Sequence, residues 1–212
     1  MKYETEEQQI DAIKSWWKKN GNSLVYGLSA VIIGLSGWNY WQSSTKVHSE
    51  SASHLYEQVR AGFQGDAEAA GVAARQARDL MNEYDDTPYA DQAKLLLATH
   101  RFEAGELNEA VNLLVEVRDS SNIKANKMIA MIRLTKIFET QKEYAQAQAQ
   151  IDQALATNPS ESATAELKMI QVRMLMAQEK RDEARDVLAT FTVADDSPLK
   201  PLNQLMRDEL SL

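Results

Sequence analysis

Residues 123–159 read IKANKMIAMIRLTKIFETQKEYAQAQAQIDQALATNP, and this stretch decides the fold. Its apolar residues recur every three or four positions, first over Ile123 to Thr140 and again over Tyr144 to Ala156. That spacing lays an apolar stripe along a helix, whereas a strand would alternate with period two. The polar residues Gln141 to Glu143 separate the two runs, and Asn158 with Pro159 close the second, since proline cannot continue a helix. The segment therefore predicts a helical hairpin.

The pattern repeats on either side. Ala147 is followed four residues later by Ile151 and preceded by twelve by Thr135; 37 residues earlier stand Ala110, Leu114 and Ala98, and 37 later Ala184, Leu188 and Val172. A fixed period of this length is the mark of stacked supersecondary units, none of which buries its apolar face alone. The preceding hairpin reads Tyr89 to Ala104, a turn at Gly105 and Glu106, and Leu107 to Val117, with Pro88 placed at a helix start. The following one reads Ser162 to Gln178 and Asp182 to Thr190.

These residues resemble tetratricopeptide repeats. The small residue of the first helix, Phe138 three positions on, the alanine twelve on and Pro159 match best in the middle unit, while Arg101 and Leu175 replace the aromatic in its neighbours. The expected fold is all-α, a right-handed array of three clear hairpins over 89–191. A weaker hairpin within 42–88 precedes them, with Leu55, Val59 and Phe63 facing Val72, Ala73, Ala77, Leu80 and Met81 across a turn at Gly65 and Asp66. A cap over 192–212, using Leu202, Leu205, Met206 and Leu210, covers the open end that a solenoid otherwise exposes.

Upstream the composition changes. No charged residue occurs between Lys19 and Lys46, and 24–41 reads LVYGLSAVIIGLSGWNYW. Eighteen helical residues span about 27 Å, close to the roughly 30 Å of bilayer hydrocarbon, so a single N-terminal transmembrane helix is expected here. Trp38, Tyr40 and Trp41 stand where a signal peptidase would need small residues, and with Trp16 and Trp17 they suit two interfacial belts. Lys14, Lys18 and Lys19 precede the span, whereas only Lys46 and Arg60 follow closely, which keeps residues 1–23 cytoplasmic and sends the rest across the membrane. Within 1–23, Ile10, Ile13 and Trp17 share a helical face that Asn20 and Gly21 are expected to end. Gly27, Ala30, Gly34 and Gly37 form a smooth stripe on which another membrane helix can pack.

Chemistry is sparse. The chain has no cysteine and three histidines, His48, His54 and His100, none spaced with a second ligand for a metal. No glycine-rich phosphate loop or nucleophile elbow is present, and Asp85/Asp86 and Asp195/Asp196 fall in loops. From residue 47 onward 18 Lys and Arg face 27 Asp and Glu, a balance that repels nucleic acid and anionic lipid. The reading is a protein-binding scaffold, without catalytic residue, cofactor, metal or small-molecule substrate.

The whole layout resembles the YfgM family of inner-membrane proteins. The lead-in KSWWKKNG (Lys14 to Gly21), the span ending GWNYW (Gly37 to Trp41), the acidic helical-repeat domain and the apolar tail ending in Leu212 carry that resemblance. It implies an ancillary subunit of the SecYEG translocon, with the repeats in the periplasm beside a PpiD-like membrane-anchored chaperone. A regulatory or cell-division adaptor that sequesters a signalling protein is the alternative. Carried over from tetratricopeptide folds, the groove-lining residues are Gln92, Thr99, Phe102, Glu103, Lys136, Glu139, Met169, Arg173 and Met176. Phe102 is either an aromatic anchor in that groove or core.

Overall fold

The computed structural model describes residues 3–211, and among these the chain forms helices and turns only. Residues 1 and 2 of the cytoplasmic segment and the terminal Leu212 of the apolar tail lie outside the described residues. The chain divides into two compact units, residues 1–51 and 52–212.

The first unit lies on α1 (Tyr3–Gly62). The expected stop at Asn20 and Gly21 does not occur. The Asn20 side-chain amide donates to the Trp16 carbonyl one turn back, 3.1 Å away, rather than capping a terminus, and the helix continues. Leu24, Leu28, Val31, Ile32, Leu35, Trp38 and Trp41 are all exposed along it. By hydropathy no helix among the described residues is long and apolar enough to cross a membrane. The reason is dilution: glycines, serines, Asn39 and the ring-bearing Tyr26, Trp38, Tyr40 and Trp41 interrupt the aliphatic residues of 24–41.

The second unit contains the last turns of α1 from Ala52, then α2 (Ala67–Glu83), α3 (Pro88–Glu103), α4 (Leu107–Ser120), α5 (Lys124–Thr140), α6 (Tyr144–Leu155), α7 (Glu161–Ala177), α8 (Arg181–Ala189) and α9 (Lys200–Leu210). Local chemistry sets several starts. Asp66 accepts from the Ala69 amide at 2.9 Å, Ser160 accepts from Ala163, and Pro88 occupies the first turn of α3, where a missing N–H costs nothing. Consecutive helices pack as antiparallel pairs, and each second helix also meets the first helix of the following pair.

The 37-residue register is a packing register. Ala110, Ala147 and Ala184 are fully buried, as are Leu114, Ile151 and Leu188; Ala98, Thr135 and Val172 face them, at most 1% exposed. Small side chains admit the close crossing within a hairpin, and bulky ones fill the space toward the next. The register extends one unit further back than the three-hairpin reading, because Ala73 and Ala77, 37 residues before Ala110 and Leu114, are also buried. In α1 the close approach falls at Gly62, eleven rather than twelve residues before Ala73, and a Cβ added there would lie 2.7 Å from the Ala73 Cβ. Two cores result. The larger runs from Val59 to Met174, and a smaller one joins Met169, Val172, Leu188 and Phe191 to Met206 and Leu210 of α9. Leu205, expected in the cap, points to solvent at 61% exposure; Asn203 and Met206 take the inner face instead.

The hairpin turns obey the same period. Gly105, Lys142 and Glu179 all have positive φ, 78°, 61° and 63°, and the next amide in each case reaches back to a helical carbonyl: Glu106 to Arg101, Glu143 to Phe138 and Lys180 to Leu175, at 2.8, 2.8 and 2.9 Å. These are left-handed helix ends of the Schellman type, which favour glycine because a Cβ is crowded there by about 1–2 kcal/mol. Lys142→Gly and Glu179→Gly are therefore expected to raise stability by about 0.5–1 kcal/mol each, and Gly105→Ala to lower it by about 1 kcal/mol. Denaturant midpoints check this, and a loss on either glycine substitution would mean that the turn geometry is not the one described.

Candidate protein-binding groove

The first helices of successive hairpins, α3, α5 and α7, lie side by side and share one wall. Positions 37 apart form rows across it: Gln92, Ile129 and Glu166; Leu96, Arg133 and Ile170; Thr99, Lys136 and Arg173; Phe102, Glu139 and Met176. A helix exposes the same face at i, i+3, i+4 and i+7, so residues 92, 96, 99 and 103 of α3 follow one another along that face.

The groove residues expected from sequence divide by burial. Thr99, Phe102 and Lys136 line one cavity of about 230 Å³, together with Ala98, Leu114 and Ile137 beneath. Phe102 is 36% exposed at its rim. Gln92, Glu139, Arg173 and Met176 are half-buried, and Glu103 is exposed at the end of α3. Met169 does not belong to the accessible wall. It is 1% exposed, packed in the smaller core with its sulfur 3.6 Å from the Asn203 amide nitrogen of α9. Its row explains this, since Ile132 and Leu95, 37 and 74 residues before, are buried as well.

Charges on the wall are mostly spoken for. Arg173 donates through Nε and Nη2 to both oxygens of Glu139, the former at 2.8 Å, a planar fork matched to a carboxylate. The Glu139 hydrogen bond holds the Arg173 guanidinium above its ordinary pKa against the opposing effect of burial. Lys136 reaches Glu166 of α7 at 2.6 Å. At the next position inward, Arg101 takes the packing site where the middle repeat has Phe138. It pairs with Glu106 at 2.8 Å and Glu109 at 3.2 Å. Arg133, which sequence reasoning missed, donates from Nη1 to the Leu95 carbonyl at 2.7 Å and to the Thr99 hydroxyl at 2.9 Å. A signal for it was present, because Arg133 stands in a row otherwise held by the aliphatics Leu96 and Ile170.

Other polar groups are structural. His100 packs on the Phe63 ring, centroids 4.8 Å apart, with a buried Nδ1 lacking a hydrogen bond. Among the described residues no three His, Asp or Glu side chains converge to hold a metal. In the first unit nothing lies within 4 Å of where a Cβ would project from Gly27, Gly34 or Gly37, so that stripe, with the exposed Ala30, is open.

The model of a tetratricopeptide repeat-like domain matches residues 14–207. The chain belongs to the tetratricopeptide repeat-like family. The match begins far upstream of residue 89 and takes in the first tetratricopeptide-like hairpin as well as most of α9. Relatives share the name ancillary SecYEG translocon subunit. The protein from Escherichia coli (strain K12) is 26% identical over 212 residues, covering 99% of this chain and 98% of its own. Those from Aggregatibacter actinomycetemcomitans and Haemophilus influenzae (strain ATCC 51907 / DSM 11121 / KW20 / Rd) are 30% and 31% identical over 132 and 108 residues, 62% and 49% of this chain. The chain spans 63% and 52% of the length of those two relatives. No solved structure matches the chain.

Proposed function

We propose that this protein is a membrane-anchored, translocon-associated scaffold. It holds polypeptides on the wall of α3, α5 and α7 as they leave SecYEG, in the company of a PpiD-like chaperone. The observation that carries the reading is the end-to-end similarity to a protein named ancillary SecYEG translocon subunit, 99% of this chain against 98% of that one. A wall of repeated helices lined by an exposed phenylalanine and half-buried polar groups suits protein binding.

The anchor in this reading is 24–41. Its apolar side chains are exposed around the helix, and a contiguous apolar surface of that kind calls for lipid or protein cover. The residues that lower its hydropathy are those membrane helices accept: glycine within, tryptophan and tyrosine at the interfaces. Charge bias then leaves residues 1–23 in the cytoplasm and the repeats in the periplasm. The open stripe of Gly27, Ala30, Gly34 and Gly37 is the contact for a partner helix.

Two measurements on the full-length protein test this. Protease added to spheroplasts should digest the chain beyond about residue 47 and spare its N-terminus, and mild-detergent crosslinking should recover translocon subunits. Gly34→Leu with Gly37→Leu should keep the protein in the membrane fraction while lowering that recovery severalfold. Recovery in the soluble fraction, or a crosslinked partner set without translocon subunits, would remove the proposal.

A further inference from the structure

Arg133 is out of place for a structural residue. In the rows of the array its neighbours are Leu96 and Ile170, so an aliphatic side chain satisfies the packing there. The chain instead half-buries a guanidinium, a group whose desolvation is costly unless a counter-charge compensates it. Nη1 is occupied by the Leu95 carbonyl and the Thr99 hydroxyl, both neutral acceptors. Burial depresses its pKa, and the ionisable group acting on it is the Tyr56 phenol rather than a carboxylate. The cations beside it on the wall, Lys136 and Arg173, have Glu166 and Glu139.

The same guanidinium lines the cavity of about 230 Å³, where Ala98, Phe102, Leu114 and Ile137 supply apolar surface beside Thr99 and Lys136, the latter already paired with Glu166. A cavity of roughly 150 Å³ accepts a benzene-sized group, so this one has room for one large aliphatic or aromatic side chain. An apolar recess and an uncompensated fork of N–H donors thus open onto one spot. In an extended chain, side chains at i and i+2 project from the same side, about 6.6–6.8 Å apart. We propose that the groove recognises an extended polypeptide segment carrying a large apolar side chain and, two residues away, an acidic one. The apolar group fills the cavity, and the carboxylate takes the free edge of Arg133. The inference rests on the protein-binding reading of this wall and names its ligand class. It also gives the groove discrimination: an acid that meets Arg133 neutralises a charge, whereas an apolar segment without one leaves it buried and unpaired.

The test uses the full-length protein in detergent and fluorescently labelled peptides, acetylated and amidated so that no terminal charge contributes. One peptide has a phenylalanine with a glutamate two residues on, and its partner has glutamine in place of the glutamate. The glutamate peptide should bind at least tenfold more tightly, with the preference shrinking as salt rises. Arg133→Leu should fold normally, as judged by helical circular dichroism and melting, because its row already holds Leu96 and Ile170, and should bind both peptides alike. Phe102→Ala should weaken both peptides equally. Equal binding of the two peptides to the native protein, a glutamate preference that survives Arg133→Leu, or no binding of either peptide would overturn the inference. Crosslinking to translocon subunits is scored separately, so an intact partner set alongside a failed peptide preference removes this inference and leaves the scaffold reading standing.

Discussion

Ile151→Ala is expected to lower the unfolding free energy by about 2–5 kcal/mol. The side chain is fully buried between α6 and its neighbours, in the same row as Leu114 and Leu188. Removing it deletes the buried methylenes and leaves a cavity that helices pinned on both sides cannot close. Position in the array shapes the result. In a stacked fold each unit is held by its nearest neighbours, so a defect in the central hairpin weakens two interfaces at once. Leu188→Ala removes a similar side chain near the end, where α7 and α9 pack on α8. It should loosen the terminal hairpin ahead of the rest and broaden the transition. Urea unfolding followed by circular dichroism distinguishes the two. Identical single transitions for both variants would show that the array does not behave as a chain of coupled units.

Gly62→Ala should destabilise the protein by about 1–3 kcal/mol, although alanine is the better helix former by about 1 kcal/mol. The new Cβ would stand 2.7 Å from the Ala73 Cβ and 3.2 Å from the Ala69 carbonyl oxygen, neither of which can swing aside. The last turn of α1 must then lift from α2 and open the first hairpin. Gly71→Ala provides the control. It sits within α2 with nothing within 4 Å of the added methyl, so propensity alone operates and stability should rise by about 0.5–1 kcal/mol. The same chemical change with opposite signs at two sites of one hairpin tests the crossing directly. If Gly62→Ala melts higher than the native protein, α1 and α2 do not cross at Gly62.

Lys94 and Glu116, 3.3 Å apart, and Arg78 and Glu109, 3.0 Å apart, also join adjacent helices, but at half-exposed positions they contribute at most about 1 kcal/mol each. The apolar rows, not these pairs, carry the array. The ion pairs of the groove wall are a different matter, because Arg173 and Glu139 are half-buried and each would be left uncompensated if the other were removed.

Helical class, the 37-residue period, the buried alanine rows and the positions of most turns were legible in the amino-acid sequence by itself. Each follows from local spacing: a period of 3.6 makes a face, and proline or a polar break ends it. The uncharged run at 24–41 was legible for the same reason. What lay beyond reach was decided by contacts between residues distant in the chain. The spacing of Asn20 and Gly21 matched a helix stop, yet α1 continues through them, because asparagine can bond back to Trp16 as readily as it can cap. Met169 was placed on the groove, yet it shares the inward row of Leu95 and Ile132 and is buried like them, with Asn203 of α9 beside its sulfur. Lys142 and Glu179 adopt left-handed turns that their identities do not announce, since the geometry of the hairpin imposes the conformation. Arg133 was visible only as a departure from its row. That it meets Thr99 and a largely apolar cavity, without an ion pair to a carboxylate among the described residues, is a property of three helices brought together, and only the tertiary structure could assemble it.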